Sequence, residues 1–87
     1  MIRLWAKTMK GTKITKSYIY ESLDKFNSET YYLHIQEICN KMDIPTPVVL
    51  PYHINTYVEF NNSQFLPRDF VEKVNFDKLV IEDAMLK

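Results

Sequence analysis

Residues 1–20 constrain the fold more than any other part of the chain, because they alternate in character and contain its only glycine. Residues 3–10 and 13–21 are rich in Trp, Ile, Tyr and Thr, and Gly11-Thr12 separates them. Aromatic and β-branched residues favour strands, and a glycine-containing dipeptide between two such runs is typical of a tight turn. The sequence therefore predicts an N-terminal β-hairpin that turns at Gly11-Thr12.

The faces of this hairpin depend on the length of its turn. With a two- or four-residue turn, odd positions of the first strand share a face with even positions of the second. Besides Met9 and Ile14, that face would hold alternating cations and aromatic rings, the candidate partner-binding residues Arg3, Trp5, Lys7, Lys16, Tyr18 and Tyr20. The opposite face would hold Ile2, Leu4, Ala6, Thr8, Thr15, Ser17 and Ile19. A three-residue turn would exchange one strand's faces, so both arrangements stay open.

Charge is divided along a chain whose formal net charge is zero. Residues 1–25 hold six basic and two acidic side chains, which gives +4, and residues 26–87 hold five basic and nine acidic ones, which gives −4. The basic hairpin is either free to attract a partner or neutralised by a C-terminal strand that bears Glu82 and Asp83.

An amphipathic helix is predicted over residues 28–42. Asn27 and Ser28 are good N-cap residues, and the apolar positions that follow repeat with a helical period. The apolar arc consists of Tyr31, Tyr32, Ile35, Ile38, Cys39 and Met42. Leu33 points away from that arc, among polar residues, and is the seventh candidate contact for a partner.

The remaining segments complete an α+β prediction. Prolines 45 and 47 end the helix, residues 51–60 form either a short helix, which is favoured, or a strand, and residues 61–63 form a loop. Residues 67–74 suit a helical turn, and residues 76–82 suit a final strand. We therefore expect one domain over residues 1–87, in which the hairpin and the C-terminal strand form a small antiparallel sheet packed by one amphipathic helix, with a short second helix or turn.

No catalytic or cofactor motif is visible in the sequence. His34 and His53 have no partners at ligand spacing, so no metal site is expected. Cys39 lies on the apolar arc of the predicted helix and should be a core residue. One glycine cannot build a phosphate-binding loop. We therefore expect neither an enzyme nor a bound cofactor.

Three stretches together are similar to a family of short uncharacterised bacterial proteins. They are Arg3-Leu-Trp-Ala-Lys7, Glu37-Ile-Cys with Asp43-Ile-Pro-Thr-Pro47, and Phe65-Leu-Pro-Arg-Asp-Phe70 with Asn75-Phe-Asp-Lys-Leu-Val-Ile-Glu82. The resemblance spans most of the chain and implies a stand-alone cytoplasmic protein. It implies no site residue, since no activity is assigned to the family.

Two functional hypotheses follow. The first is a non-catalytic protein-interaction or regulatory module that binds a protein partner, including a second copy of itself, through the hairpin or Leu33. The alternative is single-stranded nucleic-acid binding, in which Trp5, Tyr18 and Tyr20 stack on bases and the neighbouring cations contact the backbone.

A membrane partner is not expected, because no run approaches the roughly 20 apolar residues that span a bilayer. A single cysteine without a disulfide partner favours a cytoplasmic location.

Overall fold

The chain folds as a four-stranded antiparallel sheet with two helices on one face, and the computed structural model describes residues 1–85. The elements are β1 (Ile2–Lys10), β2 (Lys13–Ser22), α1 (Tyr31–Met42), α2 (Pro51–Phe60), β3 (Asn62–Phe65), a 3-10 turn (Pro67–Asp69) and β4 (Lys78–Asp83). The strand order is β2-β1-β4-β3. The predicted α+β class is confirmed, including the sheet built from the N-terminal hairpin and the C-terminal strand.

The hairpin turns where the sequence predicts. Lys10 pairs with Lys13, which leaves a two-residue turn, and Gly11 has a φ of 62°, a conformation that glycine adopts without steric cost. The Gly11 N–H donates to the carboxylate of Asp77 at 2.6 Å. The turn is therefore fastened to the segment that enters β4.

A β-bulge at Thr15 changes which residues of the hairpin share a face. Met9 pairs with Ile14 as a two-residue turn requires, but Thr8 pairs with Lys16, so Thr15 is an extra residue in β2. The hydroxyl groups of Thr8 and Thr15 lie 2.7 Å apart. Beyond the bulge, even-numbered residues of β1 lie on the same side of the sheet as even-numbered residues of β2. The prediction that odd positions of β1 share a side with even positions of β2 is therefore wrong for most of the hairpin.

Helix α1 starts later than predicted and ends where predicted. Residues 28–30 form a turn rather than helix, because Asn27 accepts the N–H of Glu29 at 2.8 Å and so closes a local turn before the helix. The helix ends at Met42, and Asp43 adopts the left-handed conformation with a φ of 57°. The N–H of Ile44 then donates to the carbonyl of Cys39 at 3.0 Å, which satisfies one terminal carbonyl.

The second half of the chain contains one strand that the sequence did not predict. Residues 51–60 are helical, as favoured. The helical turn predicted over residues 67–74 is shorter, since only Pro67–Asp69 forms a 3-10 turn. Residues 61–63 were predicted to be a loop, but Asn62–Phe65 pairs with β4, where Ser63 faces Ile81. Pairing with a strand that is already buried stabilises this polar segment despite its weak strand propensity.

The core lies between the helices and one face of the sheet, which we call the covered face. The sheet contributes Ile2, Leu4, Ala6, Tyr20, Phe65, Leu79 and Ile81, and α1 contributes Tyr31, Ile35, Ile38, Cys39 and Met42. Tyr31 also packs on Tyr57 of α2, with ring centroids 4.9 Å apart. The hydroxyl of Tyr31 is 2.9 Å from that of Ser63, so this buried polar atom has a partner.

Candidate functional site

No helix in residues 1–85 packs on the other side of the sheet, which we call the open face. Its central residues are Trp5, Lys7, Met9, Ile19, Val80 and Glu82. Val80 is buried but does not belong to the main core, and its paired residues in the neighbouring strands are Lys7 of β1 and Gln64 of β3. The side chain of Ile19 is 51% exposed. The open face therefore has an apolar centre that neither α1 nor α2 covers.

The structure separates the six hairpin residues that were predicted to share one surface. Arg3, Trp5 and Lys7 lie on the open face. Residues 16, 18 and 20 lie on the covered face, where Tyr20 is buried and Tyr18 is packed against the core. The single face of alternating cations and rings does not form, because the bulge at Thr15 inverts the orientation of β2 relative to the turn.

The cations of the open face have acidic partners. Arg3 donates to Glu21 across the hairpin at 2.7 Å. The ammonium of Lys7 is 2.7 Å from Glu82 of β4 and 3.8 Å from the centre of the Trp5 ring. Strand β4 thus neutralises part of the basic hairpin, and Arg3 and Lys7 are balanced by two carboxylates.

Of the candidate residues on the covered face, Lys16 and Tyr20 bond to α1. Lys16 donates from Nζ to the carbonyl of Met42 at 3.1 Å, at the C-terminus of α1, where a cation is favourable. The hydroxyl of Tyr20 is 2.8 Å from Nδ1 of His34. Burial raises the pKa of Tyr20, and the nearby Glu37 carboxylate adds to this effect. Tyr20 therefore stays protonated and links β2 to α1.

Leu33 does not join the open face. It is 46% exposed on α1, and α1 packs on the covered face. It borders a shallow pocket of about 340 Å³ together with His34, Thr30 and Asp24. The two surfaces predicted to bind a partner are therefore separate, and the role of Leu33 stays a prediction.

Sequence reasoning missed Ile19 as a candidate and assigned it to the face opposite Trp5. The structure pairs Trp5 directly with Ile19 on the open face. The sequence offered one signal. The alternative with a three-residue turn exchanges the two faces of β2, and that exchange brings Trp5 and Ile19 together. The bulge achieves that exchange without a three-residue turn.

A buried polar cluster joins α2 to the 3-10 turn. One oxygen of the Asp69 carboxylate accepts the Tyr52 hydroxyl at 3.1 Å. The other oxygen accepts the N–H of Leu66 at 2.8 Å and is 3.4 Å from Nε2 of His53. His53 Nδ1 accepts the N–H of Leu50 at 2.9 Å. His53 thus satisfies the N–H of Leu50, just before α2, and Asp69 satisfies the N–H of Leu66, just before the 3-10 turn. Each contact is one half of a capping box.

The environment of this cluster fixes its charge states. Burial lowers the pKa of His53, and the opposing influence of Asp69 is smaller. Burial alone would raise the pKa of the Asp69 carboxyl, but hydrogen bonds from Leu66 and Tyr52, together with the nearby His53 ring, hold it below its usual value. His53 is only 1% exposed, with its ring 4.3 Å from that of Phe65. A neutral imidazole beside a carboxylate here holds two elements together and is closed to solvent.

Cys39 is a core residue, as predicted. It is fully buried in α1, and burial raises the pKa of its thiol to about 12. Within residues 1–85, no group of three or more His, Cys, Asp or Glu side chains is placed to hold a metal ion. None of the helices in that range is long and apolar enough to cross a membrane.

Comparison with known proteins found no matching family model, no similar curated protein and no similar solved structure. The resemblance to short bacterial proteins therefore stays a prediction.

Proposed function

We propose that this chain is a non-catalytic, cytoplasmic protein-interaction module that works as a dimer joined along β2. The carrying observation is that β2 is a ten-residue strand at the edge of the sheet, with most of its side chains exposed. An edge strand offers unpaired backbone N–H and C=O groups, and strand addition is a recurrent mode of protein recognition. The partner that we propose is a second copy of the chain.

The geometry of β2 favours pairing with itself. Beyond the bulge, residues 16–22 pair regularly with β1, which leaves a regular edge centred on Ile19. Antiparallel pairing about a two-fold axis at Ile19 would set this side chain against its own copy and Tyr18 against Tyr20 of the second copy. Trp5 lies beside Ile19 on the open face, so the row Trp5-Ile19 would continue into the second copy as one apolar stripe.

The charges of β2 also favour this orientation. The strand begins with Lys13 and Lys16, whereas its other end is neutral, because Glu21 pairs with Arg3 and Asp24 is followed by Lys25. An antiparallel pair lays the basic end of each strand beside the neutral end of the other, whereas a parallel pair would set the lysines together. Avoiding this repulsion between lysines favours the same two-fold arrangement as the apolar stripe.

The balanced open face supports a protein partner over a nucleic acid. Nucleic-acid affinity depends on cations that neutralise phosphates. Arg3 and Lys7 already pair with Glu21 and Glu82, and the rings of Tyr18 and Tyr20 lie on the other side of the sheet. The stacking platform of the alternative hypothesis is therefore divided between two faces.

The test is the molar mass in solution by light scattering, over chain concentrations from about 10 to 500 µM, which detects a dimer whose dissociation constant is micromolar. The monomer mass is 10.4 kDa. We expect a dimer at the upper concentrations, and a monomer for the variant Ile19→Lys, because a lysine at the centre of the edge opposes strand pairing. The matched control is Val71→Lys, at a position 89% exposed in the loop before β4, which should keep the dimer.

Two results would overturn the proposal. One is a mass that stays at the monomer value across the whole concentration range. The other is salt-sensitive binding of labelled single-stranded DNA or RNA, measured by fluorescence anisotropy at about 50 and 200 mM salt and abolished by Trp5→Ala. The second result would establish the nucleic-acid function in place of the proposed one.

A further inference from the structure

A cleft opens at the end of the sheet nearest the hairpin turn, between the bulge of β2, the C-terminus of α1 and the loop before β4. Its volume is about 520 Å³, and the lining residues that matter here are Lys16, Asp43, Ile44, Lys73, Asn75 and Phe76. A smaller depression of about 270 Å³ shares Lys16, Ile44, Asn75 and Phe76 and extends the cleft to Lys10 and Thr15. The larger volume is in the range of sites that enclose small organic ligands.

The floor of the cleft is apolar and fixed. Phe76 is 6% exposed and packs edge-on against Phe70, with ring centroids 5.5 Å apart. Ile44 is partly buried against the same core. Because Phe76 belongs to the core and Ile44 packs against it, the floor exists before any ligand arrives, and a bound apolar group would be desolvated without rearrangement of the fold.

The rim of the cleft is basic. Lys16, Lys73 and Lys10 border the cleft and its extension, against one lining carboxylate, Asp43. Asp77 follows Phe76 in the chain, but its carboxylate accepts the Gly11 N–H at the hairpin turn. The cleft therefore has an excess of positive charge in a chain whose net charge is zero.

Lys16 is held at the mouth rather than left free. Its ammonium donates one hydrogen bond to the carbonyl of Met42 at 3.1 Å. A lysine ammonium has three protons, so two remain for a ligand. This arrangement reduces the entropy that Lys16 would lose on binding an anion.

We propose that this cleft binds an organic anion whose apolar body lies on Phe76 and Ile44 and whose carboxylate is held by Lys16 and Lys73. The bulge at Thr15 places Ile14 on the open face and Lys16, two positions later, on the side of the helices. Lys16 belongs to β2, the strand that we propose forms the dimer, but its ammonium is held at the carbonyl of Met42, and Ile19 is not a lining residue of the cleft.

The test is NMR titration of the ¹⁵N-labelled protein with 4-phenylbutyrate, with 4-phenylbutanol as the uncharged analogue. Shifts should concentrate at the amides of Ile44, Asn75 and Phe76. The alcohol should bind about fivefold more weakly, the size of effect expected for a partly exposed ion pair. Inorganic phosphate alone should bind more weakly than 4-phenylbutyrate, because it lacks an apolar body.

Substitutions that remove a positive or a negative charge from the rim should change the affinity for 4-phenylbutyrate in opposite directions. Lys73→Gln should weaken 4-phenylbutyrate binding about threefold, and Asp43→Asn should strengthen it by a similar factor, because each changes one charge at a solvent-exposed rim. Lys25→Gln, which lies outside the cleft, is the matched control and should leave the affinity unchanged. The monomeric variant Ile19→Lys should bind with wild-type affinity, which separates this inference from the proposed dimer.

The inference is wrong if the alcohol and the carboxylate bind equally, since charge recognition would then be absent. It is also wrong if no saturable shift occurs at the cleft amides at millimolar ligand, or if phosphate binds as tightly as 4-phenylbutyrate. Circular dichroism of each variant before titration confirms that the fold is retained.

Discussion

Asp69 links α2 to the 3-10 turn in the second half of the chain. Its carboxylate accepts hydrogen bonds from the backbone of Leu66 and the hydroxyl of Tyr52, and it faces His53. These contacts join the start of α2 to the 3-10 turn. A neutral His53 is required, because its Nδ1 must accept the N–H of Leu50 and cannot do so when protonated.

The stability of the protein should therefore fall as the solution is acidified. The pKa of His53 is lowered in the folded chain from its ordinary value of 6.5, so below that pH the unfolded chain binds a proton that the folded chain resists. The free energy of unfolding should decrease from about pH 6.5 downward. Asp69, whose folded pKa lies below its ordinary 3.8, adds a second decrease in the same direction at lower pH.

Urea unfolding at pH 7.5, 6.5 and 5.5 measures this effect. His53→Gln keeps an amide oxygen near the Leu50 N–H but has no titrating group, so its free energy of unfolding should depend less on pH over this range. His34→Gln, which leaves the His53 site intact, should retain the decrease. An equal slope for the wild type and His53→Gln would contradict the assignment to His53.

At the residue scale, the sequence predicted which residues are buried better than it predicted which side chains contact each other. It predicted that Cys39 is a core residue, which α1 confirms. It assigned no role to His53 or Asp69, because the residues between them fold back and only the three-dimensional structure shows that they meet. The repeated Leu-Pro-x-His and Leu-Pro-x-Asp segments, at residues 50–53 and 66–69, were the available signal, since each places an acceptor three residues after the N-cap.

At the scale of elements, the bulge in β2 decides which side chains reach the open face and which reach the cleft. Thr15 is one extra residue between Ile14 and Lys16, and its hydroxyl bonds the buried Thr8. Removing it would leave the pairs Met9 with Ile14 and Thr8 with Lys16 adjacent in a regular ladder. The bulge is therefore a local insertion, and the rest of the hairpin does not depend on it for register.

Deletion of Thr15 should thus be tolerated. We expect the free energy of unfolding to fall by about 1 kcal/mol, the contribution of the hydrogen bond lost from Thr8. Thr15→Ala removes the same hydroxyl while keeping the bulge, so it should cost a similar amount. Both are measured by urea unfolding, and nuclear Overhauser contacts between Met9 and Ile14 should persist in the deletion variant. Loss of folding in the deletion variant alone would show that the bulge has a structural role of its own.

Most helices and strands were predictable from the sequence, but the pairing of β3 and the faces of the hairpin were not. Periodicity and turn residues located the hairpin, α1, α2 and β4 within a few positions. β3 was missed because Asn62–Phe65 has little strand propensity and gains its structure by pairing with β4. The face assignment failed because a single extra residue inverts it, and no local feature of Thr15 distinguishes a bulge from a regular strand position.

At the scale of the whole molecule, Cys39 can report on the opening of the fold. Its side chain is fully buried between α1 and the sheet, and burial raises its pKa to about 12, so the native chain presents almost no thiolate. We expect the reaction with a disulfide reagent such as DTNB to be at least about a thousandfold slower in the native state than in denaturant, in line with the stability of small domains.

The reaction rate at several urea concentrations should follow the population of opened chain. A rate that increases in parallel with unfolding measured by circular dichroism supports global opening as the route to Cys39. Rapid labelling of the native chain, with no dependence on urea, would mean that α1 moves away from the sheet by itself. The fold would then be less cooperative than its single shared core implies.

The order of the strands has a consequence for how the chain acquires its structure during synthesis. The central pair of the sheet joins the earliest strand to the latest, since Ala6 faces Ile81. A growing chain on the ribosome can close the hairpin early, but β1 waits with one edge unsatisfied until β4 emerges. Contacts between such distant residues form slowly. For the period of translation that separates the two strands, the side of β1 that will become the middle of the sheet is open to chaperones and to neighbouring nascent chains.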